Sequence, residues 1–202
     1  MRRPRLPARA LAAALLLCWA GAAVAGAQQY EVLSAAVRAS LARAVNDRTP
    51  PDLRDMDTRV WVRAMTRRVQ GRFPDEASAR AFLGLARYEA MRAGLDPHLV
   101  LAVIDVESQF HRYAVSRAGA RGLMQVMPFW VKELGQSSDN LFRERTNLRY
   151  GCTILRHYLD RERGNVVNAL ARYNGSLGQA AYPDRVLSAL RKRWALEAQA
   201  FG

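Results

Sequence analysis

A glutamate at the end of an apolar helical run is the residue of this chain best suited to acid–base chemistry. Glu107 follows Val100, Val103 and Ile104 by seven, four and three residues, so at helical periodicity the four share a face. A carboxyl placed among apolar side chains loses hydration. Its charged form is disfavoured, its pKa rises, and it holds a proton near neutrality, as a general acid must. Taken alone, a glutamate at a helix end is more often a solvated group or half of an ion pair. Here the residues after it favour chemistry: residues 106–128, VESQFHRYAVSRAGARGLMQVMP, add Ser116, two glycines and a Gly-Leu-Met-Gln turn. Ser116 and Gln125 can each donate and accept hydrogen bonds to a polar ligand. Asp105 is the nearest acid, but a separation of two residues turns it away from Glu107. That face offers one acid, not a pair.

Helices are expected to position these groups. Asp96-Pro97 starts the Glu107 helix, since the carboxylate caps free N–H groups and proline suits the first helical position. Upstream, Asp75 caps a helix carrying Ala79, Phe82, Leu85, Ala86 and Met91, closed by Gly94. Downstream, 111–122 reads as a loop and 123–126 as a short helix. Residues 147–159 read as a helix with Leu148, Cys152, Leu155 and Leu159 on one face, and 166–173 follow Gly164 as another. A last helix starts after Pro183 and carries Val186, Leu187, Leu190, Trp194 and Leu196. Residues 28–71 read as helical and basic: Val32, Ala36 and Leu41 begin a stripe, Pro50-Pro51 breaks it, and Trp61, Val62 and Met65 resume it. No stretch alternates like a strand, so an all-α chain is expected.

The motif residues form an ordered set. After Glu107-Ser108 come Ser116 at nine residues, Gly119-Ala120, Gly122-Leu123-Met124-Gln125 with Gln125 at eighteen, and Met127-Pro128 at twenty; ALARYNG follows at 169–175. This set, within about residues 76–187, resembles the SLT-type lytic transglycosylases of the goose-lysozyme-like superfamily, which cut the glycan strands of peptidoglycan. The resemblance implies a lysozyme-like, all-α catalytic domain and a single catalytic acid, Glu107. Glu107 would protonate the β-1,4 glycosidic oxygen between N-acetylmuramic acid and N-acetylglucosamine, then take the muramoyl C6 hydroxyl proton as a 1,6-anhydro ring closes. It also implies substrate-side roles for Ser116, Gln125, Met127, Tyr173 and Asn174, with Tyr173 orienting the carboxyl and Asn174 bracing its turn. Met124 is expected in the core, and Trp130 either stacks on a sugar or packs inside. The chain departs from the family at His111-Arg112, where Asn-Pro is common, and at Gly175-Ser176, where Ala-Gly is usual. Two alternatives use the same residues: a non-catalytic peptidoglycan-binding envelope protein, and a hydrolytic lysozyme.

The ends and the charge set the context. Residues 1–27 carry Arg2, Arg3, Arg5 and Arg9, an apolar core over 11–19, and small residues offering Ala25 or Ala27 as cleavage points. This is the pattern of an export signal, and the stretch is short for a retained membrane anchor. Removing four arginines and no acids lowers the net charge from +13 to +9, suited to peptidoglycan strands bearing peptide carboxylates. Nucleic acid is not an expected partner, because the charge is dispersed and no binding motif is present. Cys18 would leave with the signal, so Cys152 would be unpaired and buried. His98, His111 and His157 lack ligand spacing, and no calcium loop is present; no metal or cofactor is expected. The expected organisation is an export signal at 1–27, a helical extension at 28–75, and a lysozyme-like domain at 76–202 acting in the periplasm. Protein from the native host should begin near Gly26 or Gln28 on N-terminal sequencing. A cytosolic form beginning at Met1 contradicts export.

Overall fold

The computed structural model describes residues 28–49 and 55–195; the signal pattern at 1–27 with Cys18, the Pro50-Pro51 break and Leu196 lie outside the described residues. Within them the helices are α1 (Ala35–Asn46), α2 (Met56–Thr66), α3 (Glu76–Arg92), α4 (Pro97–Glu107), α5 (Phe129–Leu134), α6 (Glu144–Arg161), α7 (Val166–Asn174) and α8 (Ala181–Ala189). A 3₁₀ turn (Arg67–Val69) follows α2, and a π-helical turn (Leu190–Trp194) continues α8. The all-α expectation holds among the described residues, where strand-like pairing is confined to the bridges Val115–Arg121 and Arg121–Val126.

α4 is the central element. Asp96 caps it by accepting the His98 N–H at 2.8 Å, with Pro97 at the first position. Residues 99–105 are all buried, because a helix apolar on every side must be surrounded. α3, α8 and the π-helical turn provide that surround. Behind them α6 packs on α3 and α7, α1 packs on α5 and α6, and α2 packs on α3.

A buried ion network ties α3 to α6. Glu89 accepts from Arg149 Nε at 2.6 Å and Nη2 at 2.8 Å, and from Arg92 Nε at 2.9 Å. Removing one partner of such a group leaves an uncompensated buried charge, a loss of about 3–5 kcal/mol.

The structure changes several boundaries. In α1 the buried face is Val37, Leu41 and Val45 with Leu33 ahead of it, whereas Val32 and Ala36 are exposed; the expected stripe was out of register. Met91 is exposed and Leu83 and Ala90 fill the α3 face instead. The last helix begins two residues before Pro183, which its first turn tolerates. The short helix expected at 123–126 is a turn closed by the Arg121–Val126 bridge. Gly122 at φ 75° and Gln125 at φ 49° cannot continue a right-handed helix.

That turn rests on α6. A Cβ at Gly151 would lie 2.4 Å from Met124 Sδ and 2.7 Å from Met124 Cβ. Helix propensity favours Gly151→Ala by up to about 1 kcal/mol, while overpacking a filled core costs about 1–3 kcal/mol. Met124 Cβ cannot withdraw, because its backbone N–H and C=O are both hydrogen-bonded by side chains. Overpacking wins, and Gly151→Ala should lose about 1–2 kcal/mol in urea unfolding. An unchanged or raised midpoint contradicts the tight seat.

Candidate active site

The chain leaves α4 through an abrupt reversal. Ser108 closes the helix with its N–H on Ile104 O at 3.0 Å, and Gln109 and Phe110 then adopt left-handed conformations with φ 51° and 68°. Such conformations cost about 1–2 kcal/mol per residue. Burying the Phe110 ring against Phe73, Phe82 and Trp194 returns about 1.5–3 kcal/mol, which offsets most of that cost. Glu107 is thereby left half-buried on the last turn, at the edge of the loop.

Tyr182 of α8 donates its hydroxyl to Oε1 of the Glu107 carboxyl at 2.7 Å. Burial dominates the electrostatics and pushes the Glu107 pKa up to about 7. The Tyr182 hydrogen bond, the Arg185 charge and the Asn174 side chain all favour the carboxylate but do not cancel burial. Below about pH 7 the group therefore carries a proton. Burial, reinforced by Glu107 itself, also pushes the Tyr182 hydroxyl well above its ordinary range, so it remains a donor.

No other carboxylate is among the groups that shift Glu107. Asp105, two residues earlier, faces a different set: Arg72 at 3.1 Å, Arg193 at 2.7 Å and Trp194 Nε1 at 3.0 Å. These contacts tie the π-helical turn to α4.

The loop from Arg121 to Met127 is suspended on side chains. Ser108 Oγ donates to Leu123 O at 2.7 Å, Asn147 Oδ1 accepts the Met124 N–H at 2.7 Å, and Tyr173 Oη donates to Met124 O at 2.7 Å. Tyr173 thus holds the loop; the orienting contact to the carboxyl, which the resemblance implied for Tyr173, is made by Tyr182. Gln125 is buried and spends its amide hydrogens on Gly122 O at 2.9 Å and Ala114 O at 3.2 Å. Its Oε1 is the atom left for a ligand.

The remaining candidates are placed as follows. Asn174, ending α7, is brought to Glu107. Gly175 then takes the left-handed capping position, φ 72°, that lets Ser176 N–H reach Ala171 O at 2.8 Å. Ser116 is half-buried; its Oγ accepts the Ala120 N–H at 3.1 Å, and it makes no hydrogen bond to Glu107. Met127 is half-buried, with its N–H on Gln28 Oε1 at 3.0 Å. Met124 is wholly buried, and Trp130 packs inside against Phe129 and Tyr158. Cys152 is a free buried thiol whose pKa burial pushes up. Among the described residues no group of three or more His, Cys, Asp or Glu could hold a metal.

Tyr182, Arg185, Gln28 and Asn147 escaped the sequence reading. Tyr182 lies 75 residues from Glu107, and no spacing rule links the two. Asn147 was legible only as a helix boundary.

The family described as Transglycosylase SLT domain matches residues 84–186. A protein named "Transglycosylase" from Enterobacteria phage PRD1 is 39% identical over 100 residues, covering 46% of this chain and 37% of that one. "Membrane-bound lytic murein transglycosylase C" of Photorhabdus laumondii is 34% identical over 131 residues, covering 57% and 36%. The protein of the same name from Actinobacillus pleuropneumoniae serotype 5b is 53% identical over 53 residues, covering 26% and 14%. A solved lytic transglycosylase Slt from Pseudomonas aeruginosa matches with TM-score 0.44 and 28% identity over 60% of this chain and 21% of that one. The matches to these three curated relatives thus span from 14% to 37% of the relatives' own lengths.

Replacing Tyr182 with Phe removes a hydrogen bond that favours the carboxylate. The Glu107 pKa should then rise further above about 7, read by carbon-detected NMR titration of the carboxyl. A fall, or no change, contradicts the assigned contact.

Proposed function

The chain belongs to the transglycosylase SLT domain family, and on that premise we propose that it is a lytic transglycosylase of peptidoglycan. The bond cut is the β-1,4 link from N-acetylmuramic acid to N-acetylglucosamine, and the product is a 1,6-anhydromuramoyl end. One observation carries this reading: a half-buried carboxyl, raised to about 7 and held by a tyrosine hydroxyl, with no second carboxylate acting on it among the described residues. Ordinary glycosidases divide acid and nucleophile roles between two carboxylates; a site with one must reuse it.

The steps follow from that single group. Protonated Glu107 gives its proton to the glycosidic oxygen, the muramoyl C1–O bond breaks, and N-acetylglucosamine leaves with a new hydroxyl. The acetamido carbonyl of the muramoyl residue stabilises the cation at C1. Glu107, now a carboxylate, accepts the proton of the C6 hydroxyl as O6 bonds to C1, which closes the ring and restores the acid. A pKa near neutrality suits both halves, since neither giving nor taking the proton is uphill by much. The held O6 outcompetes water through its high effective concentration. Gln125 Oε1, the Ser116 hydroxyl, Met127 and Asn174 border the path of the glycan in this reading, and Tyr173 keeps the loop in place behind it.

The proposed setting is the cell envelope, reached through the export segment at 1–27, with 28–75 as a helical extension of a catalytic domain at 76–202. Relatives are named membrane-bound; among the described residues of this chain no helix is long and apolar enough to cross a membrane.

Glu107→Gln should lower turnover on purified sacculi by about 10²–10⁴-fold while sacculus binding persists. Wild-type activity should fall as pH rises through about 7, because the acid form is lost. Mass spectrometry of the released muropeptides should show ends lighter by one water and not reducible. Reducible muramic ends alone would mean hydrolysis, and binding without clearing at any pH would mean a glycan-binding protein.

A further inference from the structure

A second concave surface lies apart from the Glu107 site, between α2 with its 3₁₀ turn and the start of α3. Its deeper part, about 550 Å³, is floored by Val69, Phe73 and Ala79. A shallower part of about 420 Å³ extends it towards Met56 and Val60, and the two share Arg63 and Arg80. Met56 and Val60 are 67% and 61% exposed, which puts apolar surface in water along a cationic rim.

That rim is built from four exposed arginines. Arg59, Arg63 and Arg67 recur every four residues along α2 and the 3₁₀ turn, all exposed, and Arg80 faces them from α3. Among the described residues Arg80 pairs with Glu76 of its own helix, and the other three meet no carboxylate. Their neighbours behave differently. Arg68 donates to the Arg193 and Ala195 carbonyls, Arg72 to Asp105, and Arg87 to Thr58. Of the two acids at the groove, Asp75 caps α3 and Glu76 holds Arg80.

We propose that this groove docks an acidic amphipathic helix of a protein partner. Guanidinium groups at four-residue intervals match carboxylates at the same interval on a helix laid alongside, each pair able to form two parallel hydrogen bonds. The stretch from Arg59 to Arg67 is about 12 Å long at helical rise, enough for two turns of the partner. Its apolar stripe covers Val60, Met56 and the groove floor, the helix-in-groove mode of recognition. A lipid surface is flat and cannot enter a recess between two helices. Peptide carboxylates on a glycan strand would meet the guanidinium groups but bring no apolar stripe to cover Met56 and Val60.

The test uses the whole chain and a labelled, end-blocked peptide of about 18 residues, long enough to be helical. The peptide carries Glu at four-residue spacing beside a Leu stripe; a scrambled peptide of equal composition is the control. Fluorescence anisotropy should show the patterned peptide binding at least about tenfold tighter than the scrambled one, and weakening with salt. Arg63→Glu with Arg67→Glu should lose at least about tenfold, as should Met56→Ser with Val60→Ser, while activity on sacculi and the thermal midpoint stay at wild-type values. If the Glu pair fails to melt cooperatively, Arg63→Gln with Arg67→Gln gives the same reading. Equal affinity for both peptides, no binding, indifference to both pairs of substitutions, or preference for phosphatidylglycerol vesicles overturns the proposal.

Discussion

The burial of α4 is the constraint on which the rest of the molecule depends. A helix reading PHLVLAVIDVE has no polar face to give to water, so other elements must enclose it. α3, α8 and the π-helical turn do so, and the same packing carries the two acids of α4 out of bulk solvent. Their partners then separate them. Asp105 meets two guanidinium groups and an indole N–H. Glu107 meets a hydroxyl, with Arg185 acting only as a nearby charge. Glu89, wholly buried on α3, is likewise held by arginines. Glu107 is the exception among them, and a buried carboxyl without a paired cation tends to keep its proton.

A loop with little regular structure cannot satisfy its own backbone, so side chains from elsewhere must do it. Around Met124 that duty falls to Ser108, Asn147 and Tyr173, reaching in from the end of α4, from α6 and from α7. Each bond contributes about 1 kcal/mol net, and leaving its partner unmet would cost about 1–3 kcal/mol. These three residues hold the loop in register. Gln125 turns its amide hydrogens to the backbone of the same region and leaves its oxygen over.

The arginines divide in the same way. Some brace buried acids or carbonyl groups across elements, and others stand along α2 without a partner among the described residues. A net charge of +13 over the whole chain therefore says little by itself about where an anionic partner would sit; the distribution does.

Much of the fold was legible because helix signals are local. Asp75, Asp96 and Gly94 act within a few residues of themselves, and the helices they bound appear where expected. The place of Glu107 at the end of its apolar helix was legible for the same reason. Register in α1 was not: Val32, Leu33, Ala36 and Val37 offer two stripes one residue apart, and only contact with α5 and α6 selects the second. The turn at 123–126 was misread because Asn147 holds the Met124 N–H and Ala114 accepts from Gln125, contacts that no local pattern shows. By itself the sequence determined which groups could do chemistry and which stretches would coil. The tertiary structure decided that Tyr182, not Tyr173, holds the carboxyl, since a hydrogen bond depends on the packing of α8 on α4 and leaves no periodic trace in the chain.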